Sequence, residues 1–88
     1  MDKTKSERIH AKRRAFERFG LVINRHKLRD IVTFIRSGKA EFVRRESIRK
    51  VVFALEIEGQ RVHVVYDRQR KTLVTFLKPE WSEPQGTR

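Results

Sequence analysis

The pattern of apolar and polar residues changes character halfway along the chain. In the first half the apolar positions recur at helical spacing. Ser6 is placed to cap a helix over about Glu7 to Phe19, with Gly20 as its stop. On that helix Ile9, Ala11, Ala15, Phe16 and Phe19 are expected on one side, with His10, Arg13, Arg14, Glu17 and Arg18 on the other. Asn24 predicts the cap of a second helix, Arg25 to about Arg36. Leu28, Ile31, Val32 and Ile35 form its apolar stripe, and Ser37-Gly38 ends it.

The second half consists of short runs rich in β-branched and aromatic residues, punctuated by turn residues. Ala40 to Arg45, Arg49 to Glu58, Arg61 to Asp67 and Thr72 to Lys78 read as strands. Gly59 and the charged stretch Arg68 to Lys71 read as turns, and Pro79 closes the last strand. Connections this short imply an antiparallel meander. The expected fold is α+β, with two N-terminal helices packed on a four-stranded antiparallel sheet. Residues 1–81 form one domain, and the tail 82–88, with Pro84 and Gly86 and no apolar residue, is expected to fray.

Alternation along the strands separates two faces. Val51, Phe53, Leu55 and Ile57 oppose Val52, Ala54 and Glu56. Val62, Val64 and Tyr66 oppose His63, Val65 and Asp67. Leu73, Thr75 and Leu77 oppose Thr72, Val74 and Phe76. The strongly apolar face is expected to carry the helices. The mixed face is expected to be the working surface.

Charge narrows the range of partners. The 88 residues hold 22 Lys and Arg against 11 Asp and Glu, a formal net charge of +11. Self-repulsion on that scale opposes compaction, so a polyanion is the expected partner. A solubilising coat is the plainer alternative. A membrane surface fits less well, because its usual signature is a basic helix with a broad aromatic and Leu face. There is no cysteine and no apolar run of membrane-spanning length, and the first residues are charged, so a cytoplasmic location is expected. The four glycines read as turn or cap residues and not as a phosphate loop. No His-x-x-x-His spacing is present, and neither metal nor cofactor is expected.

Several stretches carry a resemblance. They are HAKRRAFERFGL, the SGKA turn, RRESIRKVVFALEIEG and RVHVVYDRQRKTLVTFLKP, in that order, from about His10 to Pro79. The chain resembles small phage and bacterial proteins with the nuclease fold shared by barnase, the RelE-type messenger-RNA toxins and the tRNA-cleaving colicin domains. The closing strand pair, Val64 to Leu77, is the most specific part. The resemblance implies two helices on an antiparallel sheet with RNA on the sheet's open side. It also implies metal-independent cleavage, in which the 2′-hydroxyl attacks the adjacent phosphate. Members of this fold group differ in their active residues and some only bind, so the fold alone does not establish activity.

Metal-free phosphodiester cleavage needs a proton acceptor and donor titrating near neutrality, and histidine suits that best. His10 stands in line with Arg14 and Arg18, whose charges would keep its imidazole available as a base. Its alternative is a solvated helix face. His63 on the mixed face is a second candidate acid or base, whereas His26 reads as surface. Arginine grips phosphate with a planar fork. Arg44, Arg45 and Arg49 flank a polar turn with Ser47, and with Arg14 they are candidates to frame a phosphate. Arg45 and Arg49 are the preferred transition-state stabilisers, unless the cluster is an edge strand defended by charge. Tyr66 and Thr75 are candidate hydroxyls near the last strands. Glu56 is a candidate base or an arginine partner, and Asp67 reads as the start of a turn.

Candidate catalytic residues are therefore His10, Arg49, His63, Tyr66 and Thr75. Candidate nucleic-acid contacts are Arg13, Arg14, Arg18, Arg44, Arg45 and Ser47. The leading expectation is an RNA-binding or endoribonuclease-like protein, with RNA ahead of DNA. The alternative is a non-catalytic binder that inhibits an acidic protein partner, and a cognate inhibitor is another conceivable partner. A DNA-binding helix-turn-helix regulator fits poorly with a chain that gives half its length to sheet.

Overall fold

The computed structural model describes residues 3–82, with side chains for residues 9–80. Its elements are α1 (Lys3–Phe19), α2 (Arg25–Arg36), β1 (Glu41–Arg45), β2 (Lys50–Ile57), β3 (Gln60–Asp67), β4 (Thr72–Leu77) and α3 (Pro79–Ser82). The fold is α+β. Its sheet has the order β1-β2-β3-β4 with every neighbouring pair antiparallel. The expected tail lies outside the described residues from position 83 on. Ser82 belongs to α3, a single turn with Pro79 in first place, where the missing N–H costs nothing.

Local chemistry accounts for most of these boundaries. The Asn24 side chain accepts a hydrogen bond from the Lys27 amide at 2.8 Å and caps α2. Gly20, at φ 69°, ends α1 and donates its amide to the Phe16 carbonyl. Ser6 is not a cap: α1 begins at Lys3, and Ser6 lies inside it. The β2–β3 hairpin turns on Glu58 and Gly59, at φ 52° and 79°, the double left-handed conformation that matches strand twist in a two-residue loop. The turn from Arg68 to Lys71 is organised by Asp67. Its carboxylate accepts the Gln69 and Arg70 amides at 2.9 and 3.0 Å, as the turn reading anticipated.

The core lies between the helices and one face of the sheet. Leu28, Ile31 and Ile35 of α2 join Ile57, Val62, Val64, Tyr66, Leu73 and Phe76, with Phe53 and Leu55 packed at the margin. The apolar face therefore does carry the helices. Two details of the expected patterning are corrected. Among the described side chains of α1 only Ala11 and Ala15 are buried, whereas Ile9 and Phe16 are exposed. At ~100° per residue Ile9 falls about 160° round the helix from Ala11, and Phe16 about 140°. Small residues at Ala11 and Ala15 let α1 run close along β4, its main contact in the sheet.

The second correction lies in β4. Val64 pairs with Phe76 and Val65 with Thr75, but Tyr66 pairs with Leu73, so Val74 is an extra residue in the ladder. Such a bulge resets the alternation beyond it. Leu73 and Phe76 both enter the core, and Thr75 and Leu77 lie on the other face beside Val65 and His63. Strict alternation would have placed Leu73 with Thr75 and Leu77.

Nor is the mixed face open. Val52, Ala54, His63, Val65, Asp67 and Thr72 are all buried. The bulge reading gives a direct test. Phe76→Ala should cost about 3–5 kcal/mol, measured by urea unfolding. Leu77→Ala, at a half-buried position, should cost less than half as much. Equal losses would contradict the register.

Candidate nucleic-acid interface

The expected site residues divide among four places. His10 and Arg13 are exposed on the outer surface of α1. Arg14 is held by Glu17 at 2.8 Å. Arg18 turns the other way: its Nη1 donates to the Phe76 carbonyl at 2.7 Å and ties α1 to the end of β4. Arg18 thus serves the fold, although it was expected as a nucleic-acid contact in line with His10 and Arg14.

The β1–β2 connection is also largely committed. Arg44 pairs with Glu46 at 2.9 Å, and the Ser47 hydroxyl accepts the Lys50 amide at 3.2 Å. Arg49 lies with its Nε 3.4 Å from Asp67 Oδ2, and its Nη1 donates to Gln69 Oε1 at 3.3 Å. Asp67 is fully buried, so Arg49 balances an interior charge whose removal would leave it unpaired. Arg45 is exposed and forms no ion pair among the described residues.

The sheet candidates stand on opposite faces. His63, fully buried, and Thr75 lie on the face away from the helices. Tyr66 lies in the helix-side core, edge-on to Phe53 with ring centroids 6.3 Å apart. The structure therefore does not gather His10, Arg49, His63, Tyr66 and Thr75 into one constellation. General acid–base catalysis needs donor and acceptor within hydrogen-bond reach of one reacting group. The three histidines are dispersed: His10 on α1, His26 exposed at the start of α2, and His63 inside the sheet.

The structure does bring together a different set. A groove of about 330 Å³ runs between α2 and the start of β4. Arg25, Arg29 and Arg36 line one wall and Lys71 the other, over a floor that includes Leu28, Val32 and Leu73. Thr33 and Thr72 add hydroxyls, and no carboxylate lines the groove among the described residues. None of the four cations makes an ion pair among the described residues. Lys71 is held at the rim by an unusual backbone. Its φ is 58°, the left-handed region, and its amide donates to the Asp67 carbonyl at 2.7 Å. Such a conformation costs a non-glycine residue roughly 1–2 kcal/mol.

No family profile, no curated protein and no solved structure matches this chain. Its chemistry is therefore read from its own surface. Among the described residues, no helix is long and apolar enough to cross a membrane, and no three His, Cys, Asp or Glu side chains cluster to hold a metal ion. A second cleft, of about 260 Å³, lies on the opposite flank of α2 against Leu55 and Ile57, but there the cation Lys27 is paired with Glu58 at 3.8 Å. The spacing that marks the basic groove was present in the sequence. Arg25, Arg29 and Arg36 fall on one helical stripe at i, i+4 and i+11. What the sequence lacked was the opposite wall, because Lys71 sits 35 residues beyond Arg36.

Tyr66 neighbours this groove through Leu73, its partner in β4. Burial raises its hydroxyl above the ordinary tyrosine value. Arg36 works against that rise and Asp67 adds to it. A group harder to ionise in the folded state contributes stability fully below its unfolded pKa, and loses it as pH rises through the folded one. Tyr66 is the only tyrosine, so phenolate absorbance reports it alone. The titration midpoint should lie above 10.0 in the folded protein and return to the ordinary value in urea. A midpoint at or below the ordinary value would contradict this burial.

Proposed function

We propose that this chain is an RNA-binding protein that holds the phosphate backbone, built on a scaffold of the barnase and RelE type. The observation that carries the proposal is the division of its cations. Arg14, Lys27, Arg44, Arg49 and Arg61 are each within ion-pair distance of a carboxylate. Arg13, Arg25, Arg29, Arg36, Lys39, Arg45, Arg68 and Lys71 are exposed and form none among the described residues. A surface that satisfies one set of charges and leaves another exposed suits a polyanion, whose binding is driven by neutralising phosphates and releasing counterions. The preference for RNA over DNA rests on the resemblance of the sequence.

Binding is better supported than cleavage. The cleavage reading needs a base and an acid around one phosphate, and the candidates stand on separate surfaces. His10 is the candidate whose exposure suits contact with a substrate, and Arg13 lies three residues further along the same helix.

Fluorescence anisotropy with a labelled single-stranded RNA tests the proposal. Affinity should fall steeply with salt, log K against log[salt] having a slope of about −0.7 per phosphate contacted. Incubation with total RNA and EDTA should leave the RNA intact. Failure to bind at low salt would sink the RNA-binding reading. Discrete 2′,3′-cyclic-phosphate ends, lost in His10→Ala, would show that the α1 surface is catalytic after all.

A further inference from the structure

We propose that the groove between α2 and β4 is the principal phosphate track, in which Arg25, Arg29, Arg36 and Lys71 hold consecutive phosphates of one RNA strand. The inference rests on the RNA-binding reading and deepens it. It places the strand on the helical flank of the molecule, whereas the resemblance implies the sheet's open side.

The sheet face is a poor candidate for that role. Its central residues, Val52, Ala54, His63 and Val65, are buried, and its Arg49 is engaged by Asp67 and Gln69. The groove has the opposite character. Among the described residues its cations are exposed and without ion pairs, and its lining contains no carboxylate that a phosphate would have to displace or approach. Repulsion among four like charges is a standing cost to the folded chain unless an anion relieves it.

The shape selects a linear polyanion. Arg25 and Arg36 are eleven residues apart on α2, roughly 16 Å along the axis at 1.5 Å per residue. A single phosphate cannot span that length, but a backbone with a charge at every nucleotide can. Three of the four cations are arginines, whose forks bind phosphate oxygens in pairs. Leu28, Val32 and Leu73 give the floor an apolar surface suited to ribose.

Lys71 provides a second line of argument. A lysine in the left-handed region is worse for the backbone than glycine would be there. The position keeps a cation where the turn itself favours none. Asp67, buried and paired with the half-exposed Arg49, holds this turn from the other side and so positions the groove's rim.

The test combines two groove variants and variants outside the groove with a small-anion titration of the whole protein. Lys71→Gly relieves the backbone and removes the charge. It should leave unfolding by urea unchanged or improved, and weaken binding of a labelled 12-nucleotide single-stranded RNA severalfold. Arg29→Ala/Arg36→Ala should weaken the same RNA by about tenfold or more at low salt and lower the salt slope by about 1.4, two contacts at 0.7 each. Lys27→Ala/Arg61→Ala, which removes cations paired with Glu58 and Glu41 outside the groove, should leave the slope within about half a unit of wild type. In NMR titration, sodium pyrophosphate should shift the amides of residues 25–36 and 71–73 first. RNA binding that survives both groove variants but is lost in Arg13→Ala/Arg45→Ala, on the competing basic surface, would overturn the groove while sparing the RNA-binding reading. Wild-type protein that binds no RNA would overturn that reading, and the RNA track with it. Polyglutamate displacing RNA as well as an unlabelled RNA of equal charge would assign the groove to an acidic protein instead.

Discussion

Burial of β3 on both faces is the constraint on which the rest of the structure depends. From Val62 to Asp67 every residue of this strand is buried, including a histidine and an aspartate. A domain of this size has little apolar surface to spare, so a strand covered on both faces contributes disproportionately to its stability. β3 pairs with β2 along its full length on one side and with β4 on the other. The helices take the Val62–Val64–Tyr66 face, and the bulge at Val74 lets β4 supply both Leu73 and Phe76 to the same core. The polar residues of the opposite face are thereby withdrawn from solvent. His63 and Asp67 belong to the interior.

That withdrawal reshapes the electrostatics. A carboxylate as deeply buried as Asp67 requires partners, and it has the Arg49 guanidinium and two backbone amides. Arg49 is drawn in by that need, as Arg18 is drawn to the Phe76 carbonyl of the edge strand β4. The groove cations have no carboxylate within ion-pair distance among the described residues. Three of them line up on α2 because helical geometry returns to the same flank, and Lys71 joins them because the Asp67 turn delivers it there. The basic groove is a by-product of how the interior is neutralised as much as of the excess of Lys and Arg.

The same arrangement separates holding from cutting. A phosphate track needs only exposed cations in a row, and tolerates small displacements because Coulomb attraction falls off gradually. Acid–base cleavage needs atoms within hydrogen-bond reach of one another. The molecule meets the first demand on α2. The hydroxyl and imidazole candidates for the second are distributed over the outer surface of α1 and the two faces of the sheet.

Much of the architecture was legible in the sequence. The Asn24 cap, the Leu28–Ile31–Ile35 stripe, the turn at Gly59 and the order of the strands follow from local rules: capping geometry, helical period, glycine's turn preference and two-residue alternation. Less of the site was legible. The sequence spread its candidates over α1 and the Arg44–Arg49 stretch because charge there is dense, and density does not say which charges are already spent. Arg14, Arg18, Arg44 and Arg49 are engaged by groups as near as two residues and as far as 58 in the chain. Nor does alternation reveal the bulge at Val74, which moves Phe76 inward and Thr75 outward. By itself the sequence determined the elements, their order and the excess of positive charge, because these depend on near neighbours and on composition. Only the tertiary structure decided which cations remain exposed and which surface they share, because that depends on pairings between distant segments that packing alone brings into reach.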